Sequence, residues 1–236
     1  MGRFSALFPH YCLLCELSVD RDIDLCEYWE QCLPVNSLAC ERCALPMPSS
    51  AHLLCTQCTM HPPPCAGAIA PFLYRDAVAA WIREFKFRQG WRAGKVLGEL
   101  VANNIHAKTQ GRVLSEFIVP KPLSRWRLFW RGHNQALALA NAIAIAIAIA
   151  KSVHRPVNES LLCRRRHTRA QADLPRSERV ANVRHAFVAS PAVQGKSIAL
   201  VDDVYTTGAT LTSATSALIR AGATEVVWWV AARTPE

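Results

Sequence analysis

The chain has 236 residues, of which 51% are hydrophobic, enough for one ordinary domain with a substantial core and a small additional module. Its net charge of +9 is concentrated, since residues 121–184 carry a surplus of +10, a local field that suits an anionic small molecule or a nucleic acid strand. A membrane-spanning protein is excluded because the apolar run 137–150 is shorter than the roughly 20 residues that a span needs. With no visible signal peptide, we expect a soluble, cytoplasmic protein.

Cysteines dominate the first part of the chain, where nine of the ten lie between residues 12 and 65. In a cytosolic chain such clustering favours metal binding over disulfides. Two CxxC pairs present four thiolates that can close a tetrahedron around a structural Zn²⁺ ion. These ligands are Cys40, Cys43, Cys55 and Cys58. The alternative, a loop-rich segment with free thiols, has too little core to fold unaided.

A second set of cysteines lies upstream and contains only one CxxC pair. Trp29 stands where a CxxC partner of Cys26 is expected, and another cysteine follows three residues later. We expect this cysteine to close a second zinc site through a longer loop, with a nearby histidine as an alternative ligand. The candidates are Cys12, Cys15, Cys26 and Cys32, and then His10. The competing interpretation is a degenerate ribbon held by packing around Trp29.

The triple proline 62–64 marks a predicted boundary between a zinc-ribbon module (1–64) and a main domain (65–236). Alternating strands and helices in the main domain predict an α/β fold with a mostly parallel sheet flanked by helices. The predicted strands are 68–74, 117–120, 158–163, 197–202 and 226–232. The predicted helices are 76–86, 91–108, 210–221 and one from about 134 through the Ala-Ile repeat 142–149. The period of two in this repeat also fits a strand, but its alanine content favours a helix.

Residues 198–210 carry the clearest functional pattern. Four apolar residues end in Asp202 and Asp203, and a turn with hydroxyl groups and a glycine leads into a helix. Backbone N–H groups at a helix N-terminus hold phosphate, which leaves the two acids facing sugar hydroxyls or a metal. The pattern looks like the phosphoribosyl-pyrophosphate (PRPP) loop of type I phosphoribosyltransferases. The alternative is an ordinary strand–turn–helix junction, in which paired acids at a strand end are costly without a partner.

Basic residues surround this loop in the predicted topology. Lys121 directly follows a predicted strand, and ligands bind at the carboxyl ends of parallel strands, so we expect this lysine near a bound pyrophosphate. A lysine in a solvent-exposed turn fits the sequence equally well. Arg131 precedes Asn134, a predicted helix cap, and is a candidate phosphate or nucleic-acid contact. Residues 164–184 predict either a mobile flap over an anion or a solvated face. The candidates there are Arg165, Arg166 and Arg169.

Taken in order, these motifs closely resemble the ComF/GntX family of competence-associated, phosphoribosyltransferase-like proteins over nearly the whole chain. The resemblance rests on the paired cysteines and on Lys86-Phe87, Val119-Pro120, 131–135, Thr168 with Gln171, 178–187 and 201–210. It implies a double zinc ribbon joined to a type I phosphoribosyltransferase domain, and for some members a link with DNA uptake in natural transformation. Cys26 departs from the family pattern because it lacks its CxxC partner, and His133 stands where an aromatic residue is common.

The resemblance implies that the site binds PRPP with Mg²⁺ and transfers the phosphoribosyl group to an unknown acceptor. Asp202 and Asp203 would hold the ribose hydroxyls, directly or through Mg²⁺, and stabilise an oxocarbenium-like state, while Lys121 and the flap arginines would neutralise the leaving pyrophosphate. The 5-phosphate would lie against Thr206, Thr207, Gly208, Ala209 and Thr210.

Two further interpretations belong to other functional classes. The same fold can serve as a PRPP sensor or a single-stranded DNA-binding protein without turnover, and Trp126 and Trp130 would then stack on bases unless they are core residues. The zinc ribbon can serve as a docking surface for a helicase-like uptake partner.

Overall fold

The computed structural model describes residues 10–85, 90–109, 115–123, 128, 134–151, 156–165 and 186–235, and for 145–151 the backbone alone. The cysteine-rich part begins with a hairpin of β1 (His10–Tyr11) and β2 (Ser18–Val19), which pair antiparallel. Two five-residue helices follow, α1 (Glu27–Gln31) and α2 (Thr56–Met60). Each helix starts directly after a cysteine, so both helices place a thiol at their N-termini.

The remaining elements alternate largely as predicted. The strands are β3 (Gly67–Ile69), β4 (Phe72–Leu73), β5 (Phe117–Pro120), β6 (Leu162–Arg164), β7 (Phe187–Ala189), β8 (Ser197–Tyr205) and β9 (Glu225–Arg233). The helices are α3 (Asp76–Phe85), α4 (Trp91–Lys108), α5 (Gln135–Lys151) and α6 (Ala209–Arg220). Strands β3, β9, β8 and β5 form a parallel sheet in that order, and β4 also pairs with β9. The predicted α/β class is confirmed.

Helices cover both faces of this sheet because successive strand residues point to opposite sides. Along β8, Ile198 and Leu200 belong to one hydrophobic cluster with Leu211 of α6. The intervening Ala199 and Val201 belong to a second cluster, which is formed with α3, α4 and α5. Within the described ranges, no helix combines the length and apolar character that a membrane crossing requires.

The structure differs from the predicted elements at two strands. The strand expected at 68–74 is divided into β3 and β4 because the chain passes through Pro71, which has no N–H to donate to a ladder. The strand expected at 158–163 starts instead as a 3₁₀ turn, capped by the Asn158 side chain, and then continues as β6. β6 pairs antiparallel with β7 in a separate two-stranded sheet. The Ala-Ile repeat is helical, as predicted.

Backbone hydrogen bonds tie the cysteine-rich part to the edge of the large sheet. The Ala68 amide of β3 donates to the Glu41 carbonyl at 3.0 Å. The buried Asn36 side chain donates to the carbonyls of Ala44 and Ala70, at 2.9 and 3.1 Å. These bonds place the second cysteine set beside the edge strand β3, whereas a domain boundary at residue 64 remains a prediction.

Candidate metal centre and phosphate site

The four cysteines of the second set converge as the CxxC spacing predicts. Their sulfur atoms all lie within 4.8 Å of one another, and all four residues are buried. The Cys43 and Cys55 sulfurs are 3.7 Å apart, far longer than a disulfide and close to the roughly 3.8 Å expected for two thiolates on one tetrahedral zinc. The Cys55 amide donates to the Cys40 sulfur at 3.3 Å, which stabilises a thiolate. These residues fit a structural zinc ion.

The first set gathers three cysteines, Cys12, Cys15 and Cys26, again within 4.8 Å of one another. Cys32 is exposed and does not join them. Helix α1 explains this, because Cys26 precedes the helix and Cys32 follows it, roughly 9 Å along the axis. The His10 Nδ1 atom contacts Asp24 Oδ1 at 2.5 Å and is also outside the cluster. The prediction that Cys32 closes this site is therefore corrected: among the described residues the group has three members.

Cys65 lies near the second set without belonging to it. Its buried thiol donates to the Arg42 carbonyl at 3.4 Å, and burial raises its pKa to about 12. His52 and His61 are exposed. None of these three residues belongs to a described group of metal-ligating side chains.

The segment after β8 forms a tight turn into α6. Asp202 is only 4% exposed, and Asp203 is half-buried. Gly208 has a φ of 73° and directly precedes α6. A Cβ atom at Gly208 would lie 2.7 Å from the Tyr205 ring, so only glycine fits this position without a shift. The turn therefore leads Thr206 and Thr207 to the N-terminus of a helix, where amides lack intrahelical partners and attract anions.

Lys121 reaches this site from the neighbouring strand. Because β5 and β8 are parallel and Pro120, the last residue of β5, pairs with Val201, Lys121 lies beside Asp202 of β8. The Lys121 ammonium forms an ion pair with Asp202 Oδ2. Asn134 orders the same loop, since its side chain donates to the Lys121 carbonyl at 3.2 Å and accepts from the Ala136 amide at 3.1 Å as the predicted cap of α5. In this structure the lysine lies on a carboxylate, so its expected contact with pyrophosphate remains a prediction.

Burial dominates the electrostatics of Asp202. Desolvation raises the pKa of this carboxyl to about 6, with Lys121 opposing the rise and Asp203 adding to it. The Asp203 amide donates to Asp202 Oδ1 at 2.9 Å, so both oxygens of Asp202 have partners within the fold. Asp203 Oδ1 accepts from the Val204 amide at 2.8 Å. The less buried Asp203 is therefore the more accessible of the two acids.

The predicted basic contacts are only partly within the described structure. Arg165 is exposed just beyond β6, and its amide donates to the Ala186 carbonyl at 3.0 Å. The other candidates, Arg131, Arg166 and Arg169, lie outside the described residues, as do Trp126 and Trp130.

One residue of the site was not predicted from the sequence. Arg233 ends β9, is 4% exposed, and donates to the carbonyls of Tyr205 and Thr206 in the turn after β8. One feature of the sequence could have indicated this role. Arg233 is a charged residue at the carboxyl end of an apolar strand, and that strand lies beside the one that carries the two acids.

Comparisons with known proteins agree with this arrangement. The model of the double zinc ribbon domain matches residues 4–59. The chain is 29% identical to the DNA utilization protein YhgH of Escherichia coli K12, over 96% of this chain and 98% of that protein. It is 29% identical to the competence protein ComFC of Streptococcus pneumoniae, over 66% of this chain and 64% of that protein.

Another relative shows the family directly. The chain is 30% identical to competence protein F of Haemophilus influenzae, over 68% of this chain and 69% of that protein. The matched family model, the two cysteine groups and the parallel sheet agree with that relationship. The chain belongs to the ComF family.

Proposed function

We propose that this chain binds PRPP together with Mg²⁺ at the carboxyl edge of β5 and β8, and that it acts in DNA uptake. The second part is supported by the names of its relatives, which are a DNA utilization protein and competence proteins. The first part depends on the geometry of the chain itself.

The observation that carries PRPP binding is the path of the chain from β8 into α6. A parallel strand delivers two adjacent acids, a left-handed Gly208 turns the chain, and α6 then starts. In an open parallel sheet this is the edge at which ligands bind. The 5-phosphate would accept hydrogen bonds from the amides and hydroxyls of residues 206–210, and the ribose would face Asp203.

Mg²⁺ prefers hard oxygen ligands and often bridges one or two carboxylates to substrate phosphates. Asp203 and Asp202 offer such oxygens. Each carboxylate oxygen has two lone pairs, so the bonds of Asp202 within the fold leave further acceptor capacity. When bound, the ion would neutralise charge on the pyrophosphate group.

Phosphoribosyl transfer at this site would break the bond between C1 of the ribose and a pyrophosphate oxygen. The pyrophosphate leaves with the electron pair, and a lone pair of the acceptor forms the new bond to C1. Positive charge on C1 and the ring oxygen is stabilised by the nearby carboxylates. Lys121 would contact the leaving group only after its ammonium moves from Asp202.

Single-stranded DNA binding without turnover is the second candidate. The +10 surplus over residues 121–184, which includes Lys121 at the site, favours it, as does the name of the Escherichia coli relative, a DNA utilization protein. Such binding would weaken steeply with salt and survive removal of the acids. An enzyme must also release pyrophosphate when it is given its acceptor.

Calorimetric titration with PRPP, with and without Mg²⁺, tests the proposal. We expect binding that requires Mg²⁺ and weakens at least about tenfold in Asp203→Asn, because a carboxylate is lost where the ribose or metal binds. Asp20→Asn, at an exposed acid of the ribbon, is the matched control and should bind as the wild type does. Equal PRPP affinity in all three proteins, or binding that ignores Mg²⁺, would reject the site.

A further inference from the structure

We propose that Arg233 couples the second cysteine set to the turn after β8, so that loss of zinc loosens the proposed phosphate site. The residue lies at the carboxyl end of β9, where its backbone pairs with Tyr205 of β8. Its guanidinium is buried between the two regions, and a buried charged group requires satisfied hydrogen bonds.

On one side, the guanidinium holds the turn. Its Nη1 atom donates to the carbonyls of Tyr205, Thr206 and Thr234, at 3.1, 2.7 and 2.8 Å. The guanidinium carbon also lies 4.2 Å from the centre of the Tyr205 ring, a cation–π contact. Several backbone acceptors and an aromatic face therefore fix one side chain against the start of the loop.

On the other side, the same guanidinium contacts the metal centre. Its Nε atom donates to the Cys43 carbonyl at 3.3 Å, and Cys43 is one of the four candidate zinc ligands. The two regions also share apolar packing, since Cys43 and Cys58 belong to the same buried cluster as Tyr205. The metal centre and the loop thus meet through hydrogen bonds and through packing.

The coupling follows from the conformation that zinc imposes on a CxxC turn. Without the metal, the turn around Cys43 loses the bonds that fix its thiols, and small zinc ribbons depend on such bonds for their fold. If the Cys43 carbonyl moves away, the Nε–H group of Arg233 loses its acceptor in a buried environment. The Arg233 side chain would then move to find another hydrogen-bond partner. Tyr205 moves with the guanidinium, and Gly208 follows because it is packed directly against the Tyr205 ring.

One consequence rests on the proposed function. If residues 206–210 hold the phosphate of PRPP, zinc removal must weaken PRPP binding, and PRPP must raise the affinity for zinc by the same factor. The structural coupling itself requires no ligand, so the two claims can be tested apart.

Amide hydrogen exchange read by mass spectrometry tests the coupling on the full chain, with zinc bound and after removal by a chelator. We expect peptides over residues 203–211 to exchange about tenfold faster without zinc, while peptides of α4 keep their protection. In Arg233→Lys, which keeps the charge but loses the planar guanidinium, the loop should exchange faster even with zinc bound. Arg42→Lys is the matched control, since Arg42 also links the ribbon to the sheet domain, through the Ala66 carbonyl at 3.0 Å.

The coupling is overturned if the ribbon peptides lose protection without zinc while the loop peptides do not change, or if the α4 peptides accelerate equally. It is also overturned if a folded Arg233→Lys variant shows the same loop exchange rate as Arg42→Lys. If Arg233→Lys does not fold, the comparison of the wild-type chain with and without zinc decides. In a parallel arm, the zinc affinity is measured at equilibrium by competition with a colorimetric chelator, with and without PRPP and Mg²⁺. Loss of the PRPP effect with the exchange result intact rejects the proposed function and keeps the coupling.

Discussion

Lys121 and Asp202 join two neighbouring strands by an ion pair that is almost hidden from water. Their side chains are 15% and 6% exposed. Burying two charges costs several kcal/mol, so such a pair is not expected to add much to stability, whereas breaking it leaves one charge unpaired in the interior. Its position at the proposed site gives the pair a second consequence, because a ligand must compete with Lys121 for the carboxylate.

A double-mutant cycle tests this description. We expect Asp202→Asn to lower the free energy of unfolding by roughly 3 kcal/mol, and the double change with Lys121→Met to cost clearly less than the sum of the single changes. The control is the exposed pair of Lys196 and Glu116, 2.9 Å apart with side chains 41% and 45% exposed, whose coupling should stay below about 1 kcal/mol. Urea denaturation measures both cycles, and additive effects at Lys121 and Asp202 would contradict a buried pair.

The pKa of Asp202 predicts a pH dependence with a definite sign. Burial raises this pKa from 3.8 to about 6. Because the folded chain holds this proton more tightly than the unfolded chain, this group alone makes stability fall as pH rises from about 4 to about 6. Ligand binding should run the other way, since ribose hydroxyls or Mg²⁺ require the carboxylate. PRPP affinity should therefore fall as pH drops from 7 to 5, which calorimetry at a series of pH values measures. An affinity that does not change over this range would refute the role of the Asp202 carboxylate in binding.

The turn between β8 and α6 depends on one glycine, and the chain supplies a control for it. Gly208 and Gly195 both have a φ of 73°, but a Cβ at Gly195 meets nothing within 4 Å, whereas at Gly208 it meets the Tyr205 ring. Both alanine substitutions carry the backbone penalty of about 1 kcal/mol, and only Gly208→Ala adds a steric clash. We expect Gly208→Ala to lower the urea midpoint more and to weaken PRPP binding. Equal effects of the two substitutions would show that the ring contact has no importance.

The two cysteine groups should release zinc at different rates. Four buried cysteines form the second site, but the first offers three, of which Cys15 and Cys26 are partly exposed. A closed thiolate set holds zinc more firmly than an open one. A chelator should therefore remove the first metal ion quickly and the second slowly. Cys26→Ser should abolish the fast phase and Cys58→Ser the slow phase, while Cys65→Ser, at a buried bystander, keeps both; a single phase in the wild type would contradict this.

At the scale of the whole molecule, local patterns predicted local structure well. The helix 91–108 and the strand 117–120 have the predicted bounds, because an apolar stripe marks the helix and Pro120 ends the strand. The second cysteine set was also predicted correctly, because the CxxC spacing places two thiols within reach of one metal ion. The two acids and the glycine turn lie within one short segment, so their arrangement followed from order along the chain.

Features that depend on contacts between distant segments of the chain could not be predicted from the sequence. The pairing of β6 with β7 joins residues far apart in the chain, and no local period reports it. Cys32 looked like a ligand because spacing in sequence did not reveal that helix α1 separates it from Cys26. Arg233 contacts Cys43, 190 positions away, and only the packing of the ribbon on the sheet creates that contact. Tertiary structure decided each of these cases.

The central claim is that the edge formed by β5, β8 and the start of α6 receives PRPP. A crystal structure of the chain with PRPP and Mn²⁺ in place of Mg²⁺ tests this most directly, because the anomalous signal locates the metal independently of the phosphates. The account predicts a phosphate against the amides of residues 206–210 and a metal peak between the pyrophosphate and Asp203 or Asp202. Phosphate density elsewhere on the chain, with this edge holding only solvent and Lys121 still on Asp202, would contradict it.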